Sequence, residues 1–269
     1  MSTYAFDQAW QRERERLTAL ERLYDGATRR LLGDLGLGSG WRCLEVGCGA
    51  GGIARWLADR VGETGHVVAT DLDTRFLNGH GRANLEVRTH DIVADPLEEA
   101  AFDLIHARAV VEHVTDRELV IKRLAAALRP GGWLLLEETD FGGATAGTLA
   151  EYVSAPEPQR AAMERVYLAV AKIFAAIGAD PSYGRQLVGV LTDAGLARVA
   201  AELHAPVVSG GNEQWTRGSI EQLAERIVAS GDATAEDVDW FLAASANPDF
   251  HYLPPLMVSA WGQHDTGRS

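Results

Sequence analysis

The sequence predicts an α/β fold: a mostly parallel sheet with helices on both faces, a helical arm before it and a helical cap after it. Two observations carry that expectation. Short apolar runs alternate with helical stretches over about 100 residues, the signature of strands linked by crossover helices. The segments on either side carry apolar residues at helical spacing, and two late strand-like runs return to the sheet.

Taken in order, residues 1–39 read as helix. Phe6, Trp10, Leu17, Leu20, Tyr24, Ala27, Leu31 and Leu35 recur at spacings of three and four, with Arg and Glu between them, and GLGSG at 36–40 ends the arm. Five apolar runs follow, 42–46, 66–70, 85–89, 102–107 and 133–138, with 53–61 and 116–128 the clearest helices between them. Beyond residue 138 the pattern turns helical across 144–198 and again across 219–246, where Thr234 followed by Asp237 is a capping-box signature. Runs 199–204 and 256–261 read as the last strands of the same sheet. The expected layout is an N-terminal arm or lid over 1–40, a core over 41–141, and a cap plus the last strands over 142–269, with the cap folded over the carboxyl edge of the sheet.

Composition narrows the function classes. Against 25 Lys and Arg stand 38 Asp and Glu, a formal charge of −13 over 269 residues. That balance opposes a broad footprint on nucleic acid or on an anionic membrane, since both require a basic face. The opening segment has no apolar h-region, which predicts no secretory signal. No apolar run approaches the ~18 residues of a membrane span. Cys43 and Cys48 are the only cysteines, too few for a disulfide framework, and no further ligands complete a zinc site. They read as buried packing residues of a reduced, cytoplasmic protein. A homodimer is the default assembly, and no residue pattern selects it.

The sharpest motif is WRCLEVGCGAGGIARWLA at 41–58, an apolar strand running into Gly47, Gly49 and Gly51 and then a helix. Glycines serve where backbone turns tightly and a ligand presses on bare peptide. Gly47, Gly49 and Gly52 also satisfy the dinucleotide spacing, with Asp71 about twenty residues on, so the loop alone leaves a nicotinamide dehydrogenase open. Three features favour another ligand. Glu45, near the end of the first strand, would face a ligand carrying an ammonium and repel a pyrophosphate. Asp71 and Asp91 follow the second and third strands, where ribose hydroxyls and an adenine amine each want an acceptor. LRPGGWLLLEE then brings a helix end, a Pro-Gly-Gly turn and a buried strand.

EVGCGAG, ATDLD, the His90-Asp91 pair, FDLIHAR and LRPGGWLLLEE, in that order, resemble the class I S-adenosylmethionine-dependent methyltransferases, over roughly residues 41–140. The remainder more weakly resembles small-molecule methyltransferases of the ubiquinone/menaquinone type, as in actinobacterial secondary metabolism. The resemblance implies a seven-stranded Rossmann-like sheet and S-adenosylmethionine as methyl donor. It implies that Gly47, Gly49 and Gly51 approach the methionine part, that Glu45 holds its amino group and that Asp71 accepts the ribose hydroxyls. Leu72 and Ile92 would cover the adenine faces, Asp91 would take the adenine amine, and Ala107 would offer backbone near the methionine. The N-terminal helix, with Tyr24 and Thr28, would close the cofactor side.

For the acceptor, expected to be a small aromatic or secondary-metabolite molecule, the candidates lie beyond the strand ends. His113 suits proton removal near neutral pH, with Glu138 and Tyr183 as further catalytic candidates. Arg108, Asp140, Tyr183, His251 and Tyr252 are candidate substrate contacts, the last three because they fall in apparent loops. Glu137, Glu138 and Asp140 form an acidic cluster that magnesium would suit, but no matching later Asp-Asn pair follows, so no metal is expected. The other readings of the chain are a non-catalytic scaffold or sensor that binds the same cofactor, and an NAD-dependent oxidoreductase, which Glu45 and Asp91 oppose.

Overall fold

Strands buried on both faces read as nearly continuous apolar runs, and the five central runs form that kind of strand. In the computed structural model, which describes Phe6 and residues 12–265, they are β1 (Arg42–Val46), β2 (His66–Asp71), β3 (Leu85–Thr89), β4 (Phe102–Arg108) and β5 (Leu128–Asp140). Two later strands, β6 (Ala197–His204) and β9 (Leu256–Gln263), complete a seven-stranded sheet of order β3-β2-β1-β4-β5-β9-β6. The first five pair in parallel, and β9 runs antiparallel to both β5 and β6. The chain reverses its direction of travel across the sheet between β1 and β4. Such a switch point leaves a crevice beyond the carboxyl ends of the strands.

Side chains alternate across this sheet with the strand period of two. Cys43, Leu104 and Leu135 enter the core beneath α1 (Glu13–Asp34) and α2 (Gly52–Val61), with Leu32, Ile53 and Leu57. Leu44, Ile105, Leu134 and Leu136 pack on the other face against α3 (Arg117–Ala127) and α6 (Leu187–Asp193). Both cysteines are buried free thiols. The remaining helices, α4 (Ala144–Glu151), α5 (Gln159–Ala176), α7 (Trp215–Ser230) and α8 (Ala235–Ala244), share a separate core around Met163, Tyr167, Phe174, Leu223 and Phe241. Among the described residues no helix is long and apolar enough to cross a membrane.

Several boundaries differ from the sequence reading. The Pro-Gly-Gly segment does not separate helix from strand, because β5 already begins at Leu128. Phe102 pairs with Leu128 and Leu104 with Trp133, so the extra residues bulge out of the ladder. His113 closes a short 3-10 turn (Val111–His113), and α3 starts only at Arg117. His251 and Tyr252 are not in a loop: they form β8 (His251–Tyr252), paired with β7 (Val208–Ser209). Apart from Phe6, the portion of the arm before residue 12, with Trp10, lies outside the described residues.

The capping box is present at α8. Thr234 Oγ1 accepts from the Asp237 N–H at 3.1 Å, and the Asp237 carboxylate accepts from the Thr234 N–H at 2.9 Å. Asp237 also receives the Arg165 guanidinium of α5, which ties the cap helices together. Thr234→Ala is expected to lower stability by about 1 kcal/mol in urea unfolding, the usual cost of a lost N-cap.

Candidate active site

The chain leaves β1 at Val46 and must enter α2 within a few residues. Gly47 has φ +67°, and a Cβ there would stand 2.2 Å from Val110 Cγ2; Gly51 has φ +86°, and its Cβ would meet Leu77 Cδ2 at 2.3 Å. Both positions require glycine, for conformation and for space. The resulting loop turns Gly47, Cys48, Gly49 and Ala50 toward a cleft at the carboxyl ends of the strands, with about 1660 Å³ of empty space, its open mouth included.

Acids and apolar plates line the β2–β3 side of the cleft. Asp71 ends β2, and its carboxylate braces the glycine loop by accepting from the Gly49 N–H at 2.8 Å and the Asp73 N–H at 3.1 Å. Burial raises its pKa. Asp91 follows β3 and accepts from the Val93 N–H at 2.9 Å. Leu72 is 44% exposed although it lines the cleft. An uncovered leucine beside a carboxylate, with Ile92 also in the lining, fits the flat face and polar edge of a nucleoside. Glu45 is buried and lines the same space. Burial raises its pKa too, and an ammonium placed against it would favour its charged form.

The cap side is different in character. Phe141, Tyr167, Phe174, Trp215 and Ile220 line it with His113, Thr139 and Thr216, while α1 contributes Arg16, Leu17, Leu20 and Glu21 as a wall. One cleft therefore joins a nucleoside-shaped half to an aromatic half.

Comparison with known proteins agrees with that geometry. Residues 44–136 match the family described as a methyltransferase domain. The chain is 26% identical to the methyltransferase str2 of Strobilurus tenacellus over 255 residues, covering 87% of this chain and 86% of that protein. It is 28% identical to the 27-O-demethylrifamycin SV methyltransferase of Amycolatopsis mediterranei, covering 87% and 83%. Its fold is similar to that of a Haemonchus contortus phosphoethanolamine N-methyltransferase 2 solved with S-adenosylhomocysteine, with a TM-score of 0.58, 17% identity, and coverage of 97% of this chain and 60% of that one. Residues 44–136 carry a methyltransferase domain, and most of the chain is similar to methyltransferases.

The methyltransferase brings together Glu45, Gly47, Gly49, Asp71, Leu72, Asp91, Ile92, Arg108 and His113, all of which line the cleft. The other candidate residues lie elsewhere. Gly51 caps α2 behind the loop and only shapes it. Ala107 is sealed inside the sheet opposite Val46, and it is the next residues, Arg108, Ala109 and Val110, that line the cleft. Tyr24 is buried off the cleft, its hydroxyl donating to the Pro255 carbonyl at 2.7 Å, so it anchors the wall instead of touching ligand. Glu138 accepts from the Val111 and Glu112 N–H groups at 2.8 and 3.2 Å, which fixes the turn carrying His113. Asp140 is held by the Arg185 guanidinium, and Tyr183 is buried beneath that of Arg117. His251 is exposed, and the Tyr252 hydroxyl donates to the Glu213 carboxylate in the cap core. Glu137, Glu138 and Asp140 thus have three separate sets of partners.

At the centre of the methyltransferase sheet lies a buried charge network. His106 Nδ1 is 2.7 Å from Glu45 Oε2, and Nε2 is 3.0 Å from Glu137 Oε2. Glu137 also accepts from the Ser259 and Thr28 hydroxyls. Arg108 donates to Thr28 Oγ1 at 2.9 Å and to Asp25 at 2.7 Å. Burial alone would lower the His106 pKa, but Glu45 and Glu137 outweigh it and bring it to about 9. Burial likewise works against the Glu137 anion, and His106 and Arg108 overcome it, leaving that pKa low.

Sequence reasoning missed Glu112, Glu21 and Arg16. Glu112 accepts from both the N–H and the hydroxyl of Thr139 and stands 3.3 Å from His113 Nε2. Its only signal was adjacency to His113. Glu21 receives the first N–H of α2 at 2.6 Å. Arg16 is only 3% exposed, paired with Glu13 at 2.7 Å and stacked 4.1 Å from the Phe6 ring centroid. Charges between apolar residues of an amphipathic helix ordinarily mark its wet face, so nothing in the pattern set these apart.

Two outcomes follow from this geometry. Asp71→Ala is expected to weaken S-adenosylhomocysteine binding by roughly 100-fold or more in calorimetry, the scale of two hydrogen bonds to a charged group; unchanged affinity would contradict the ribose assignment. Because the folded-state pKa of His106 (about 9) lies above the ordinary 6.5, its contribution to stability is complete below about pH 6.5 and lost as pH rises through about 9. Urea stability of the wild type is expected to fall over that range, and to fall less in His106→Gln.

Proposed function

We propose that the enzyme transfers a methyl group from S-adenosylmethionine to O, N or C of a small, largely apolar organic acceptor of secondary metabolism, held between the sheet and the cap. The observation that carries this reading is a buried His113–Glu112 pair within the aromatic half of the cleft. The relative named for 27-O-demethylrifamycin SV supports oxygen as the methylated atom. Two buried free thiols support a reduced, cytoplasmic setting.

The bound cofactor supplies an activated methyl group on a sulfonium, so the protein's share is alignment, exclusion of water and management of one proton. Glu45 receives the ammonium, Asp71 the ribose hydroxyls and Asp91 the adenine amine, with Leu72 and Ile92 against the ring. The aromatic wall of Phe141, Tyr167, Phe174 and Trp215 holds the acceptor dry. Thr216 and Ser219, a helical turn apart on α7, line the same wall; the Thr216 side chain lies by the Glu213 carboxylate, and Ser219 Oγ has no hydrogen-bond partner among the described residues. They offer polar anchors to acceptor oxygens.

Burial, with Arg16 and Arg117 nearby, holds the His113 pKa at about 3, so its ring is neutral. A neutral imidazole can accept a proton, but burial opposes the cation that results. Glu112 Oε1 faces Nε2 at 3.3 Å, and burial lifts the Glu112 pKa to about 7. The acceptor's proton passes to the His113 ring while the Nε2 proton passes to Glu112. The cofactor, when bound, would supply the methyl group to the acceptor and keep the electron pair of the broken carbon–sulfur bond on sulfur.

Transfer of isotopic label from S-adenosylmethionine to candidate phenols, amines and hydroxylated polyketide-like acceptors tests the reading. Glu112 must be ionised to take the proton, so kcat is expected to rise with pH through about 7. Glu112→Gln is expected to lower kcat about 100-fold, a typical general-base contribution, and to flatten that rise. Full activity of Glu112→Gln with the pH profile intact would exclude the pair as the proton acceptor.

A further inference from the structure

We propose that His106 is a positioning residue: a buried imidazolium that clamps the Glu45 carboxylate in place for the cofactor's ammonium and ties it to the α1 wall. The inference rests on the assignment of that ammonium to Glu45.

Hydrogen-bond inventory carries the argument. The His106 side chain is 0% exposed, and each of its ring nitrogens faces a carboxylate oxygen, Glu45 Oε2 at 2.7 Å and Glu137 Oε2 at 3.0 Å. Ionised carboxylates only accept, so satisfying both contacts requires hydrogen on both ring nitrogens, which is the imidazolium. A neutral ring would turn a lone pair toward one of two buried anions.

The groups facing this ring come from five elements. Glu45 lies directly across from it on β1, and Glu137 lies on β5. Arg108 is two residues along β4, Ser259 on β9 donates to Glu137, and Thr28 and Asp25 of α1 close the set through Glu137 and Arg108. Glu137 is thus saturated, with both oxygens engaged. Glu45 is not: His106 takes Oε2, and Glu45 is the only one of the three acids Glu45, Glu137 and Asp25 that lines the cleft. Oε1 is left for a ligand. His106 does not line the cleft, so it acts on ligand only through Glu45. The same clamp transmits the position of α1, which walls the cleft, to the carboxylate at its centre.

Two measurements test the clamp. In protein labelled with 15N-histidine, the His106 ring, assigned through NOEs so that no variant is needed, is expected to show both nitrogens protonated at pH 7 and to titrate near pH 9. A single neutral tautomer at pH 7 would overturn the proposal. Calorimetry with S-adenosylhomocysteine then compares wild type, His106→Gln, Glu45→Gln and the double variant. Each single change is expected to raise Kd about tenfold or more, and the double variant to be no weaker than the weaker single. If Glu45→Gln weakens binding while His106→Gln does not, the clamp is wrong and the ammonium assignment stands. If Glu45→Gln binds like wild type, the ammonium assignment falls and takes the clamp with it. Additive losses would mean that His106 acts independently of Glu45, and would also overturn the clamp.

Discussion

A carboxylate at the middle of a sheet, closed off from water by helices on both faces, has to be met by positive charge or lose its own. Glu45 and Glu137 sit on strands either side of β4, and His106 on β4 reaches both. Removing one partner from such a buried set costs far more than the set contributes when complete, because the remaining charge is left without solvent. The strand register is therefore constrained by chemistry as well as by apolar packing. Glu45 must face His106 across the β1–β4 pair, and Glu137 must lie two residues beyond Leu135, the His106 partner on β5. A slip of one residue on either strand would put a charge into one of the two apolar cores.

That constraint and the glycine loop act on the same few ångströms of chain. β1 carries Glu45 to the carboxyl edge, and Gly47 then lets the backbone pass beside Val110, where any Cβ would collide. Asp71 braces the loop from the next strand through the Gly49 N–H. The side chains assigned to the ligand thus also hold the loop's shape, so its geometry is set before a ligand arrives. Such preorganisation is what a displacement reaction needs, since it depends on alignment more than on covalent assistance.

The five central strands, the loop and the acids at strand ends were legible in the sequence because each follows a local rule: a short apolar run, glycine at a tight turn, a polar residue where a strand emerges. The ends of β5 and the pairing of β7 with β8 were not, since a bulge and a two-residue bridge depend on partners distant in sequence. The acceptor side was the least legible part. Tyr183, His251 and Tyr252 looked like loop residues, yet the first and third are core and the second faces solvent. Glu138 and Asp140 looked like a shared acidic site, but one fixes a turn and the other binds Arg185. Glu112 and Arg16 carried no pattern of their own because their burial comes from partners elsewhere in the chain, Thr139 for the one and Phe6 for the other. Residue type and spacing report which face of an element is apolar, and they are silent on which charged residues another element will later cover.

The attachment of α1 has a consequence for the order of assembly. Its most distant tethers run to Glu137, to the Pro255 carbonyl, to the Trp215 ring and, from Arg12 at its N-cap, to Glu221, across sequence separations of 109 to 231 residues. Its contacts to α2 and to Arg108 on β4 can form with the early strands, but its seating is completed only when β5, α7 and the segment before β9 have folded. Loop closure over such distances is slow compared with the local pairing of β1 through β4. A nascent chain would pass through a state with the parallel strands formed and the nucleoside half of the cleft recognisable but unwalled. Its first helix would be docked on one side and still open on the other.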